Sequence, residues 1–211
     1  MKHIENISAL FSKSFVEHPL IETFSAGELR LTSGRLVACD PLITADMPAF
    51  LMQFPAGSWP LFVHKERESS CIAYVELVFS ETAVAHWEMA RCEGQHLKDL
   101  IEGEIFGYPV DSGMGCLMDA EAQAAMSTLE QQLFQQKGDK FMGLYEEFFH
   151  KHFFQEDGAL NQYAVLQPGK DAHADIFAFE TGYGEGFYAT YFGTDANGIP
   201  VKVISEFIEI V

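Results

Sequence analysis

The residues of this chain whose type and spacing could do chemistry are a few carboxylates set beside glycine turns. Asp40 closes the segment SGRLVACD and Asp119 closes SGMGCLMD, each six residues after the glycine of a Ser-Gly pair. Asp111 and Glu185 lie in neighbouring turns. Carboxylates that converge can hold a divalent cation or act as general acid and base. Asp40, Asp111 and Asp119 are therefore the candidate metal ligands, and Asp40, Asp119 and Glu185 the candidate catalytic residues. Each aspartate also has a structural reading. Asp40 precedes Pro41 and suits a turn in which its side chain accepts from nearby backbone N–H. Asp119 stands where it would cap a helix.

Other reactive types form no constellation. Cys116 follows two glycines in GMGCLMD, but no histidine is fixed near it in sequence, and it reads as an inert buried thiol. His150 and His152, two apart on an expected helix, point to different faces and make a poor metal pair. The glycines of GYGEG (182–186) lack dinucleotide-loop spacing and precede a strand-like run, so no cofactor is expected from them. DANG (195–198) lacks the later ligands of a calcium loop and reads as a hairpin turn. Aromatic residues crowd the same regions. Trp59, Tyr183 and Tyr188 are the candidate binding residues, should they share a face rather than a core.

Elements must position these groups. Residues 3–16 carry apolar positions at helical spacing, so an N-terminal helix is expected within 1–18. Alternating strands follow from 27 to 92, with ELRLTSGRLVACDP reading as a hairpin turned at Ser33-Gly34, and Pro60 marking an edge or a strand start. From Asp119 the spacing changes to about 3.6, predicting one helix as far as Gly138 and a second from Asp139 to Phe154, a helical hairpin within 119–155. Strands resume towards the C-terminus, completing a second β unit over 105–211. The expectation is a single α+β domain: a mostly antiparallel sandwich or partly open barrel with the hairpin packed on one side.

Composition narrows the partners. Lys and Arg total 13 against 31 Asp and Glu, a net charge of −18. Such a surface repels phosphate backbones and anionic membranes, and suits solubility or a basic protein partner. Four scattered cysteines without a CxxC pair suggest reduced thiols in a cytoplasmic protein, and the N-terminal stretch does not read as a secretory signal.

The two SG…D segments head a longer echo. Gly57, Trp59 and Phe62 of AGSWPLFV recur at the same offsets as Gly186, Tyr188 and Tyr191 of GEGFYATYF. Each is followed by a strand ending in phenylalanine, Phe79 and Phe207. Either the β part is an old internal duplication with the helices inserted into its second copy, or common turns recur by chance.

Several of these stretches together resemble a known family. SGRLVACDPLI, FPAGSWPLFV, HWEMA, EIFGYPVDSGMGCLMDAEA and ETGYGEGFYATYFGTDANGIPVKVISEF resemble the bacterial domain of unknown function 4241 family, in order, over residues 27–211. The family typically has Tyr-Pro where this chain has Trp59-Pro60, and Gly-Asp-Gly where it has Gly184-Glu185-Gly186. The resemblance implies a soluble bacterial protein and supplies no activity. Three functions stay open: a non-catalytic binding domain, one that neutralises a basic partner such as a toxin; a metal-assisted hydrolase using Asp40, Asp111, Asp119 and Glu185; and a small-molecule-binding barrel with aromatics at its mouth.

Overall fold

The computed structural model describes residues 2–154, 159–169 and 172–211. Residues 155–158, part of the QEDGALNQ turn, lie outside the described residues. The chain is α+β, with two antiparallel sheets and no closed barrel. One sheet runs β1 (Ile21–Leu31), β3 (Gly57–Glu66), β4 (Ile72–Val78), β11 (Pro200–Glu206), β10 (Gly186–Thr194) and β5 (His86–Met89), with β6 (Tyr108–Val110) also paired to β10. The other runs β2 (Leu36–Cys39), β7 (Met114–Asp119), β9 (Ile176–Glu180) and β8 (Tyr163–Leu166).

Period-2 alternation sends successive side chains to opposite faces, and the smaller sheet uses both. Leu36, Ala38, Leu117, Phe177 and Phe179 join the core shared with Leu61, Val63, Val75 and Val203 of the larger sheet. Val37, Cys39, Cys116, Met118 and Ala178 instead meet Ala122 and Met126 of α2 (Ala120–Lys137) and the ring of Phe149. On the far face of the larger sheet, Ile7 and Phe11 of α1 (Lys2–Phe11) cover Tyr74, Tyr191 and Ile204.

Two expectations need correcting. The segment around Ser33-Gly34 is no hairpin: β1 pairs with β3 and β2 pairs with β7, so this turn carries the chain from one sheet to the other. The helical hairpin has a broken second arm. A 3-10 turn (Gly138–Lys140) extends α2, residues 141–143 are non-helical, and a π-helical turn (Tyr145–Phe149) runs into the short α3 (His150–Phe153). Gly138 at φ +52° and Gly143 at φ +96° are left-handed, which a continuous right-handed helix cannot contain.

The echo has a counterpart in the register. β2 and β7 pair with each other, Ala38 opposite Leu117, which stands 79 positions later, the same separation as Asp40 and Asp119. β4 and β11 also pair, Glu76 opposite Ile204, which stands 128 later, as Phe207 does after Phe79. Leu31 faces Gly57 and Leu29 faces Trp59, while Val110 faces Gly186 and Tyr108 faces Tyr188. In both sheets, strands that carry matching parts of the echo lie side by side.

The corresponding turn glycines differ in one respect that can be tested. Gly34 and Gly113 are both left-handed, at φ +69° and +77°. A methyl on Gly34 would lie 2.1 Å from the Phe54 carbonyl oxygen, whereas on Gly113 the nearest atom would be the Gly184 Cα at 3.8 Å. Gly113→Ala should cost only the backbone strain, ~1–2 kcal/mol. Gly34→Ala must also displace backbone and should cost on the order of 3 kcal/mol or more. Urea unfolding of the two variants measures the difference, and equal losses would contradict it.

Candidate functional site

The two candidate aspartates are fully buried, and each is tied to backbone. The Asp119 Oδ2 accepts from the backbone N–H of Thr32, Ser33 and Gly34 at 3.0–3.1 Å. Its Oδ1 accepts from the Ser33 hydroxyl at 2.7 Å and from Glu121 N–H at 2.8 Å, which caps α2. Asp40 is held in a similar way: Oδ2 accepts from Asp111 N–H (3.1 Å) and Ser112 N–H (2.8 Å), and Oδ1 from Leu42 N–H (2.9 Å) and Ile43 N–H (3.2 Å). Each aspartate therefore closes its own strand end and grips the Ser-Gly turn of the other half.

This geometry does not bring the candidate carboxylates together. Cys39 faces Cys116, so Asp40 lies one step further on and about four residues from Asp119 along the pair, ~13 Å by strand rise. Asp111 and Glu185 are exposed. Among the described residues, no three His, Cys, Asp or Glu side chains stand close enough to hold a metal ion.

Trp59 and Tyr188 occupy corresponding places. The Trp59 indole N–H donates to the Pro55 carbonyl at 2.9 Å, and the Tyr188 hydroxyl donates to the Gly184 carbonyl at 2.8 Å, each four residues back. Their rings pack edge-on against Phe79 and Phe207 at 5.4 and 5.1 Å. Both are wedges between a turn and the core. Tyr183 differs: it is 72% exposed, and its hydroxyl donates to Glu66 at 2.9 Å. The Ser69 and Tyr183 hydroxyls together hold the Glu66 carboxyl below its ordinary range, and the same bond to Glu66 holds the Tyr183 phenol above its own.

Tyr183 stands over a cleft of about 740 Å³. One wall is the turn 112–114 that Asp40 grips, and another is the loop Thr181–Gly184. The two touch almost backbone to backbone at Gly113 and Gly184. Thr181 fixes the loop, its N–H and hydroxyl each 3.1 Å from the Gly113 carbonyl and its hydroxyl 2.7 Å from the Gly184 carbonyl. The opposite wall is aromatic, with Tyr145 from the π-turn, Phe153 and Phe154. Glu180, at the end of β9, supplies a carboxylate. Burial, then Glu146 and Glu180, pushes the Tyr145 phenol up. Sequence reasoning missed this wall because the cleft joins a strand end, two turns and a helix that are remote in the chain.

A second polar group lies inside the larger sheet. His64 Nε2 is 3.0 Å from Glu76 Oε2, Lys202 Nζ is 2.7 Å from Glu76 Oε1, and the Thr23 hydroxyl is 2.9 Å from His64 Nδ1. Lys202 also donates to the Lys13 carbonyl at 2.7 Å, tying the segment after α1 to the sheet. The sequence signal for this group was a polar residue set directly against apolar runs: His64 after LFV, Glu76 within AYVELV and Lys202 within PVKVIS.

A family model described as "Protein of unknown function (DUF4241)" matches residues 29–205. That span contains both sheets from Leu29 of β1 to Ser205 of β11 and the whole cleft, and leaves α1 outside it. No curated protein and no solved structure matches the chain.

Proposed function

Because the chain belongs to the DUF4241 family, whose description assigns no activity, we propose its role from geometry: a non-catalytic binding domain that takes its ligand in the cleft between the turn 112–114 and the loop Thr181–Gly184. The observation that carries this is the cleft itself. Its size suits a drug-sized ligand, its walls are mostly apolar and aromatic, and its two turns are braced before any ligand arrives. The hydrolase reading has less support, since the acceptor oxygens of Asp40 and Asp119 are occupied by backbone donors. The same correspondence of turns, strands and aromatic wedges supports descent of the two halves from one duplicated unit. On that reading the cleft is the feature in which the second half, with its inserted helices, departs from the first.

A fragment collection screened by ligand-observed NMR tests the proposal. Fragments that bind should lose binding in Tyr183→Ala, which removes one wall, and in Leu160→Trp, which fills the mouth from an exposed position. Both sites are exposed, so folding should persist, as circular dichroism can check. Binding that survives both variants would place the ligand elsewhere and end the proposal.

A further inference from the structure

We infer that the cleft selects a cationic ligand, an alkylammonium or guanidinium group carried on an apolar body; this rests on the binding role proposed above and names its chemistry. Glu180 is the only formally charged side chain lining the cleft among the described residues, and no Lys, Arg or His lines it. Glu180 is half-buried, and its carboxylate makes no hydrogen bond or ion pair among the described residues. Asp111 and Glu185 are exposed to water, and the other carboxylates of the sites described above are satisfied: Asp40 and Asp119 by backbone N–H, Glu66 by Ser69 and Tyr183, Glu76 by His64 and Lys202.

A carboxylate left without a partner against apolar walls is costly unless a donor arrives with the ligand. The aromatic faces around it, Tyr145, Phe153 and Tyr183, suit the same guest, because ring quadrupoles attract a cation and its alkyl stem packs on the ring. Charge on a larger scale agrees: a net charge of −18 concentrates cations near the surface and speeds their encounter.

The probes are N-acetyl-phenylalanyl-arginine amide, its citrulline counterpart as the uncharged isostere, and phenethylamine as a free amine, each titrated into the full chain by calorimetry. The arginine peptide or phenethylamine should bind about tenfold more tightly than the citrulline peptide, a difference set by one charge-assisted pair. Glu180→Gln should remove most of that difference, and Glu185→Gln, exposed and outside the cleft, should leave it unchanged. Tighter binding of the peptide would assign the cation to a basic protein segment, and tighter binding of phenethylamine to a small amine. Equal affinity for arginine and citrulline peptides, or cation binding indifferent to Glu180→Gln, overturns the inference. If such charge-blind binding is still lost in Tyr183→Ala and Leu160→Trp, the cleft stands as a binding site and only its cation selectivity falls.

Discussion

Replacing Asp119 by alanine is expected to destabilise the protein by about 4–5 kcal/mol, a large share of the ~5–15 kcal/mol that holds a typical domain. One buried carboxylate takes five donors, and three of them are the consecutive N–H groups of Thr32, Ser33 and Gly34. Without it those N–H groups lose their shared acceptor. Gly34 is buried, so water does not readily replace the bond there. The cap of α2 is lost as well, which by itself costs about 1 kcal/mol. Asp40→Ala removes four bonds, but Asp111 and Ser112 are exposed and can turn to water, so the loss should be nearer ~2–3 kcal/mol. The two sites share no donor and lie ~13 Å apart, so their effects should add to within ~0.5 kcal/mol. Urea unfolding of the two single variants and the double variant measures all three numbers. A larger loss at Asp40 than at Asp119, or strong coupling between them, would show that the turns are not independently held.

The contrast between these aspartates shows where sequence reading reached and where it stopped. Local patterns were readable. The spacing of SGRLVACD and SGMGCLMD, the echo of AGSWP in GEGFY, and the DANG turn, where Asp195 accepts from the N–H of Asn197 and Ile199, all rest on contacts within a few residues. Asp40 as a turn acceptor and Asp119 as a helix cap belong to the same class. Their second task, gripping the turn of the other half, depends on β2 lying beside β7, and nothing local in either strand encodes its partner. The Ser33-Gly34 turn was misread for the same reason. Alternation on both sides of a turn is what a hairpin and a sheet-to-sheet crossing have in common. The break in the second helix was readable in principle, since Gly143 interrupts an otherwise helical pattern, but periodicity outweighed it. The cleft was not readable, because Ser112, Tyr145, Glu180 and Tyr183 meet only after both sheets and the inserted helix are in place.

The buried Glu76 should be nearly as costly to remove as Asp119, for a different reason. It lies on β4 between β3 and β11, 5% exposed, with His64 on one carboxylate oxygen and the Lys202 ammonium on the other. Burial alone would raise its pKa, but His64 and Lys202 together outweigh burial and hold it below the ordinary value of 4.5. Glu76→Ala leaves the Lys202 ammonium, itself 2% exposed, buried without its counter-charge, a change that typically costs ~3–5 kcal/mol. It should also loosen the contact between Lys202 and the Lys13 carbonyl, so amide exchange should rise across residues 12–16. Removing both charges together is a milder change. Glu76→Leu with Lys202→Met leaves no unpaired ammonium and should recover part of the loss, the remainder being the buried His64 deprived of its Glu76 partner. The pH dependence has a definite sign. A carboxyl whose folded pKa is depressed contributes stability above its unfolded pKa, near 4.5, and loses it as pH falls through the folded value. The advantage of the wild type over Glu76→Gln should therefore be full at neutral pH and shrink below about pH 4.5. Denaturant midpoints taken at neutral and acid pH decide the matter: a gap that widens on acidification, or a double replacement as unstable as Glu76→Ala, would mean that the ion pair is not what holds this part of the sheet.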